Sequence, residues 1–186
     1  MNSTMAPWKH LEVWNLFAFK VFQGTPDAPA ELVAAARLLT EFPVYLAVSL
    51  ALYYVLTKRD AACGVAIVLA EVIARLIEVM TNLYAFHPRP FAAGFGPALV
   101  HHAANNSLPS SHATFVWTFA AIFAFRGHAA LAAIMFGMGV LVAWARIFVG
   151  IHWPLDMVAS AVVAAFSGGV GSILLRAGTK VLGKRK

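Results

Sequence analysis

The sequence predicts an all-α, polytopic membrane helical bundle with five spanning helices plus an N-terminal interfacial helix, six helices in total. Composition is the first observation: the 186 residues are 61% hydrophobic and only 12% charged, with a mean hydropathy of +0.75. Soluble domains carry about 25% charged residues. The second observation is a series of apolar segments near the roughly 20 residues that a spanning helix needs. We therefore exclude a soluble globular protein and expect one membrane domain over 1–186.

The predicted elements follow from the order of apolar and polar segments. Residues 12–24 are too short to span a bilayer, and their mixture of aromatic and polar side chains favours a helix lying at the membrane interface. The segment 24–29, rich in Gly and Pro, ends that helix. The five predicted spans are about 32–56, 61–84, 108–125, 129–149 and 154–175.

Charge placement predicts the topology. The net charge of +6 is concentrated at the ends of apolar segments, in 57–60, at Arg126 and in the tail 176–186. This distribution is typical of the positive-inside rule and argues against a nucleic-acid partner. We expect a multi-pass protein with the N-terminus outside and the C-terminus inside.

The opposite, outer face collects most of the polar chemistry. Five of the seven histidines fall there, together with two arginines and one carboxylate. Ionisable groups at membrane depth are costly and usually functional. The residues predicted to share this face are His87, Arg89, His101, His102, His112, Arg146, His152 and Asp156.

The segment 145–156 carries the strongest single pattern, with Arg146, His152 and Asp156 in an apolar run. If Pro154 is the first helical residue, Asp156 lies in the first turn and reaches back to His152. A carboxylate on one imidazole nitrogen leaves the other nitrogen free to attack an electrophile. An interfacial His–Asp hydrogen bond, with Arg146 extending to lipid headgroups, is the alternative when this segment is taken alone.

Two further segments belong to the same face. In 87–91, prolines on both sides of Arg89 hold the arginine on a stiff loop. In 107–113, Pro109 suits the first turn of a helix, so the amides that follow it form an anion site. Taken singly, the two segments are typical of an interfacial anchor and of an ordinary helix start. The amides predicted for the anion site belong to Ser110, Ser111 and His112.

These three segments resemble the signature of the type 2 phosphatidic acid phosphatase superfamily. Its motifs read Lys-x6-Arg-Pro, Pro-Ser-Gly-His and Ser-Arg-x5-His-x3-Asp, and this chain matches them over 82–90, 109–112 and 145–156. The resemblance departs at Asn82, Ser111 and Ala145, which replace the lysine, the glycine and the first serine. These changes remove one positive charge and one hydroxyl from the expected phosphate pocket.

The resemblance implies a role for each matched residue. His152 is the nucleophile that forms a phosphohistidine, Asp156 orients it, and His112 protonates the leaving group and later activates water. No metal and no cofactor is implied, because positioning and charge neutralisation carry phosphoryl transfer. The phosphate ligands implied are Arg89, Arg146, Ser110, the Ser111 amide and, in the lysine position, Asn82.

Within the superfamily, 87–91 and 107–113 resemble the bacitracin-resistance type of undecaprenyl-diphosphatases. This implies an enzyme that converts undecaprenyl diphosphate to undecaprenyl phosphate on the outer face of the inner membrane, for peptidoglycan biosynthesis. The alternatives are a phosphatase for phosphatidylglycerol phosphate, phosphatidate or lipid A 1-phosphate, or a non-catalytic lipid-phosphate binder. The expected partners are the bilayer and the lipid phosphate, and the oligomeric state stays open.

The neighbouring histidines His101 and His102 fall outside the motifs. A metal site with His87 is one interpretation, but no carboxylate lies close by in the sequence. A loop role near the lipid headgroup is favoured, and contact with a second phosphate group is the other alternative.

Overall fold

A computed structural model describes residues 7–183 of the chain, and the side chains of residues 10–177. This range is folded into helices and loops without a strand, which confirms the predicted fold class. Seven helices lie within the range. They are α1 (Pro7–Phe22), α2 (Ala30–Leu39), α3 (Phe42–Lys58), α4 (Ala61–Tyr84), α5 (Ser111–Phe125), α6 (Ala129–Phe148) and α7 (Pro154–Gly183).

The first predicted span, 32–56, is divided into α2 and α3, so the described chain has seven helices instead of six. Pro43 lies in the first turn of α3. Because proline has no N–H and collides with the carbonyl four residues earlier, a continuous helix through this point is disfavoured. The Thr40 hydroxyl donates to the carbonyl of Arg37 at 2.6 Å and terminates α2. Together the two helices form one apolar run, Ala30–Lys58, of 29 residues.

The third predicted span, 108–125, begins three residues late. Ser110 is the N-cap of α5, with an extended backbone (φ −75, ψ 112), so Pro109 precedes the helix instead of occupying its first turn. The Ser110 amide donates to Ser160 Oγ at 2.9 Å. The amides at Ser111 and His112 belong to the first helical turn, where no intrahelical acceptor exists.

Several helices are long and apolar enough to cross a membrane. By length and composition these are Ala129–Phe148, Pro154–Ala177 and the combined run of α2 and α3, Ala30–Lys58, whereas the apolar α5 is shorter. Helix α4 has 24 residues and includes three ionisable residues. The chain is accordingly a multi-pass membrane protein. The ionisable residues of α4 are Glu71, Arg75 and Glu78.

Helix α5 is the centre of the bundle and packs against α3, α4, α6 and α7. Close approach depends on small residues, as is common between membrane helices. A Cβ added at Gly139 of α6 would lie 2.3 Å from Trp117 Nε1, and one at Gly168 of α7 would lie 2.6 Å from the Ala121 methyl. Both neighbours belong to α5, so these two glycines set its distance from α6 and α7.

Helix α1 is fastened to the junction between α6 and α7. The Phe19 and Trp153 rings lie 4.8 Å apart, and the Leu155 amide donates to Asn15 Oδ1 at 3.0 Å. The amide of Gly24 donates to the Phe148 carbonyl at 2.8 Å. These contacts place α1 at the end of the bundle where the α6–α7 turn lies. Its location at the membrane interface stays a prediction.

An ion pair joins two turns at the opposite end. Arg126, after α5, bonds Asp60, before α4, with 2.6 Å between nitrogen and oxygen. The basic connection 57–60 and Arg126 therefore lie together, as the predicted topology requires.

Candidate active site

The turn between α6 and α7 places an arginine, a histidine and an aspartate around one point. Gly150 has a φ of +79, a conformation that side chains other than glycine rarely adopt, and the turn it allows directs His152 back into the bundle. Pro154 begins α7, as predicted, and Asp156 lies in its first turn. The His152 Nδ1 is 3.2 Å from Asp156 Oδ2, so the predicted reach-back is confirmed.

Both oxygens of the Asp156 carboxylate have hydrogen-bond partners. Oδ2 accepts from the Trp153 amide at 2.8 Å, from His152 and from the Ser107 hydroxyl. Oδ1 faces His87 Nδ1 at 3.1 Å. Asp156 is fully buried, and a buried carboxylate needs such a set of donors to remain ionised.

This arrangement fixes the tautomer of His152. Because Nδ1 faces the carboxylate, the proton belongs there and the lone pair belongs to Nε2. Burial lowers the pKa of His152 to about 3, so the imidazole is neutral at physiological pH. Arg89 Nη1 lies 2.9 Å from Nε2, where the guanidinium can contact an anion under attack.

Arg89 is held by the loop oxygens around it. Its Nε donates to Asn105 Oδ1 at 2.8 Å, and its two Nη groups donate to the carbonyls of Ile151 and Asn106 at 2.8 and 3.1 Å. Burial lowers the pKa of Arg89 to about 10, which leaves the guanidinium charged at neutral pH. Prolines 88 and 90 stiffen the loop that presents it.

Arg146 approaches His152 from the last turn of α6. The side chain is only 4% exposed and its Nε is buried without a hydrogen-bond partner. Its Nη2 lies 3.5 Å from His102 Nε2. Neither Arg146 nor Arg89 forms an ion pair with a carboxylate among the described residues. Two buried cations without anionic partners are costly, so the site is suited to a bound anion.

The start of α5 contributes the second set of predicted residues. Ser110 is fully buried, and its hydroxyl has no partner. Ser111 is exposed, and its hydroxyl donates to Glu78 Oε1 at 2.5 Å. The departure from the family glycine therefore adds a link between α5 and α4.

His112 is half-buried and lies within electrostatic reach of both buried arginines and of His102. It lines a cavity of about 220 Å³ together with Val44, Ser111 and Phe115. This cavity combines a titratable imidazole with apolar walls. Its composition suits the junction between a phosphate and a lipid tail.

Asn82 is not brought into this group. It is exposed at the end of α4 and forms none of the hydrogen bonds that connect the described site residues. The neighbouring Thr81 donates to the carbonyl of Leu108 at 3.1 Å, so α4 does contact the loop before α5. A phosphate contact by Asn82 stays a prediction.

Sequence reasoning missed two members of the cluster, His87 and Ser107. His87 was weighed as a metal ligand with His101 and His102, but its Nδ1 faces Asp156. The hydrogen bond to Asp156 raises the pKa of His87. His87 occupies a variable position inside the matched segment 82–90, and Ser107 precedes the segment 109–112. Their role depends on the loop 85–110, in which the Ser107 amide donates to the His87 carbonyl at 2.8 Å. No spacing rule reveals such a contact.

The family and the relatives agree with the geometry. The model of the PAP2 superfamily matches residues 44–177. The putative undecaprenyl-diphosphatase YbjG of Escherichia coli K12 is 36% identical over 152 residues, covering 79% of this chain and 75% of that protein. The undecaprenyl-diphosphatase BcrC of Bacillus subtilis is 28% identical over 157 residues, covering 83% of this chain and 80% of that one.

Solved structures show the same fold. The crystal structure of Aquifex aeolicus LpxE has a TM-score of 0.72 at 18% identity, covering 92% of this chain and 98% of its own. A PAP2 type phosphatidylglycerolphosphate phosphatase from Bacillus subtilis has a TM-score of 0.62 at 17% identity, covering 92% and 87%. Identities this low support the fold alone.

Proposed function

The chain belongs to the PAP2 superfamily, and we propose that it hydrolyses undecaprenyl diphosphate to undecaprenyl phosphate through a phosphohistidine on His152. The observation that carries the proposal is the neutral Nε2 of His152, 2.9 Å from Arg89 Nη1, beside a second buried guanidinium at Arg146. A nucleophile whose lone pair faces one guanidinium, with a second guanidinium within electrostatic reach, is arranged to attack a phosphoryl group.

The first step transfers the terminal phosphoryl group. His152 Nε2 attacks the terminal phosphorus, the bond to the bridging oxygen breaks, and the protonated His112 gives its proton to the departing lipid phosphate. The positive charge that develops on the imidazole is stabilised by Asp156 through Nδ1–H. Arg89 and Arg146 neutralise the phosphoryl oxygens.

The second step hydrolyses the phosphohistidine. His112, now neutral, accepts a proton from water as the water oxygen attacks phosphorus. The bond to Nε2 breaks, inorganic phosphate leaves, and His152 returns to its neutral form. One diphosphate and one water yield one lipid monophosphate and one inorganic phosphate, so the protons balance.

Sequence similarity and topology support the substrate and the side of the membrane. The relatives at 36% and 28% identity carry the name undecaprenyl-diphosphatase. The His152 cluster lies at the end of α6 and α7 away from the ion pair of Asp60 and Arg126. Because that basic end is expected to be cytoplasmic, we place the reaction on the outer face.

The test is an activity panel with purified protein and two variants. We expect wild type to release phosphate fastest from the polyprenyl diphosphate, ahead of phosphatidylglycerol phosphate, phosphatidate and lipid A 1-phosphate. We expect His152→Ala to lose activity, and His112→Asn to slow by about 10²-fold or more while accumulating radiolabelled phosphoenzyme from a terminally labelled diphosphate. Lys58→Gln, at an exposed position beyond the other end of the bundle, is the matched control.

Three outcomes would contradict the proposal at different levels. If the His152→Ala variant folds and retains activity, His152 is not the nucleophile. Comparable rates on all four lipids reject the undecaprenyl assignment and leave a general lipid phosphatase. If the wild-type protein binds these lipids but hydrolyses none of them, the enzyme hypothesis is wrong and the protein is a non-catalytic lipid-phosphate binder.

A further inference from the structure

A second basic cavity opens beside the catalytic cluster. It has a volume of about 590 Å³, and its basic lining side chains are Arg37, His101 and His102. The remaining lining is apolar, from Phe91 and residues 98–100. None of the described residues that line it is acidic. A cavity with several basic groups and no acid is suited to an anion.

His102 connects this cavity to the reaction centre. Its ring centroid is 6.4 Å from that of His152, and its Nε2 is 3.5 Å from Arg146 Nη2. His102 also acts electrostatically on His112, the residue expected to protonate the leaving group. A group held at His102 is therefore next to the attacked phosphate and on the leaving-group side.

Arg37 supplies the permanent charge. Its Nε donates to the Leu99 carbonyl at 3.0 Å, which fixes the arginine on the loop and leaves the terminal N–H groups for a ligand. The Nδ1 of His102 lies 3.0 Å from the carbonyl of Ala103. Burial and the neighbouring arginines lower the pKa of His102, so the imidazole is expected to gain a proton, and to donate Nε2–H to the ligand, only when a bound phosphate supplies the compensating negative charge.

We propose that this cavity binds the second, lipid-linked phosphate of a diphosphate substrate and so makes the enzyme selective for diphosphates over monophosphates. A diphosphate exceeds a monophosphate ester by one phosphate group, and a subsite for that group must adjoin the attacked one on the leaving-group side. The cavity beside His102 has that position. The inference rests on the proposed phosphatase function and assigns Arg37, with His102, as the residues that determine specificity.

The test compares farnesyl diphosphate with farnesyl monophosphate, which share one tail and differ by one phosphate. We expect Arg37→Gln to lower kcat/KM for the diphosphate about tenfold, which corresponds to about 1.4 kcal/mol, and to change the monophosphate value by less than about twofold. The loss is expected mainly in KM, because the second phosphate is bound before and during the reaction. His102→Gln is expected to act in the same direction.

Two controls separate this effect from others. Arg37→Lys keeps the charge and is expected to retain most of the activity on the diphosphate. Lys58→Gln removes an equal charge far from the cavity and is expected to leave kcat/KM unchanged for both substrates. If Arg37 instead binds the headgroup phosphate of bulk lipid, Arg37→Gln lowers kcat/KM equally for both substrates. The inference is overturned if Arg37→Gln lowers kcat/KM equally for the two substrates or lowers it for neither. Failure of wild type to hydrolyse either substrate rejects the phosphatase function itself.

Discussion

The two halves of the catalytic site differ in how completely their polar atoms are paired. Around Asp156, each carboxylate oxygen has donors, and His152 has a partner on both nitrogens. At the start of α5, the buried hydroxyls of Ser110 and Thr114 have no partner. The half proposed to carry the nucleophile is therefore fully hydrogen-bonded in the absence of substrate, whereas the α5 half has unpaired hydroxyls that we expect a substrate to pair.

The largest effect is expected from a substitution in the fully hydrogen-bonded half of the site, around Asp156 and His152. Asp156→Asn keeps the shape but replaces a charged acceptor with an amide, so the Nδ1 proton of His152 and the developing imidazolium lose their partner. In a Ser-His-Asp triad this kind of change costs about 10⁴-fold in kcat, and we expect a loss of at least about 10³-fold here. Initial rates and thermal unfolding of the same preparation check it. A folded variant with wild-type kcat would show that the carboxylate does not organise the nucleophile.

A matched pair of serines compares the two halves directly. Ser107 and Ser110 are both fully buried, but the Ser107 hydroxyl bonds Asp156 and the Ser110 hydroxyl is unpartnered. We expect Ser107→Ala to lower the free energy of unfolding by about 2 kcal/mol, the range for a hydrogen bond to a charged group. Because the Ser110 hydroxyl has no hydrogen bond to lose, we expect Ser110→Ala to change the free energy of unfolding by no more than about 0.5 kcal/mol. We expect the same variant to lower kcat/KM about tenfold through the lost phosphate contact. Similar losses of stability in both variants would show that the buried hydroxyls of the two halves are hydrogen-bonded to the same extent.

The smallest expected effect concerns pH. The hydrogen bond to Asp156 raises the pKa of His87 in the folded protein, relative to about 6.5 in the unfolded chain. Protonated His87 therefore stabilises the fold fully below about pH 6.5, and this contribution is lost as pH rises through the higher folded pKa. We expect the Tm difference between wild type and His87→Gln to shrink between these limits. A difference that is constant with pH would show that His87 does not titrate against the carboxylate.

The sequence predicted most of the fully hydrogen-bonded half and less of the α5 half. Arg146, His152 and Asp156 are close in the chain, so helix geometry alone placed Asp156 in reach of His152. Sequence spacing across the loop 85–110 could not predict that His87 and Ser107 contact the Asp156 carboxylate. Their positions depend on contacts within 85–110, a segment without regular structure.

Helix boundaries show the same division between local and non-local information. Apolar composition identified helical segments, and three of them in the described part of the chain are long and apolar enough to cross a bilayer. Pro43 divided the first span, and α5 begins at Ser111, three residues after the predicted start, with Ser110 as its N-cap. Both are local backbone effects that hydropathy does not measure. The position of Asn82, exposed on α4 and outside the hydrogen-bonded cluster, depends on the rotation of a whole helix.

The attachment of α1 has a consequence for biosynthesis. The contacts of Asn15 and Phe19 in α1, and of Gly24 just after it, all reach residues 148–155, which the ribosome adds more than a hundred residues later. Domains and helices fold as they are synthesised, from the N-terminal side. Helix α1 can therefore form these contacts only after the turn between α6 and α7 has been synthesised, so its docking comes late in assembly.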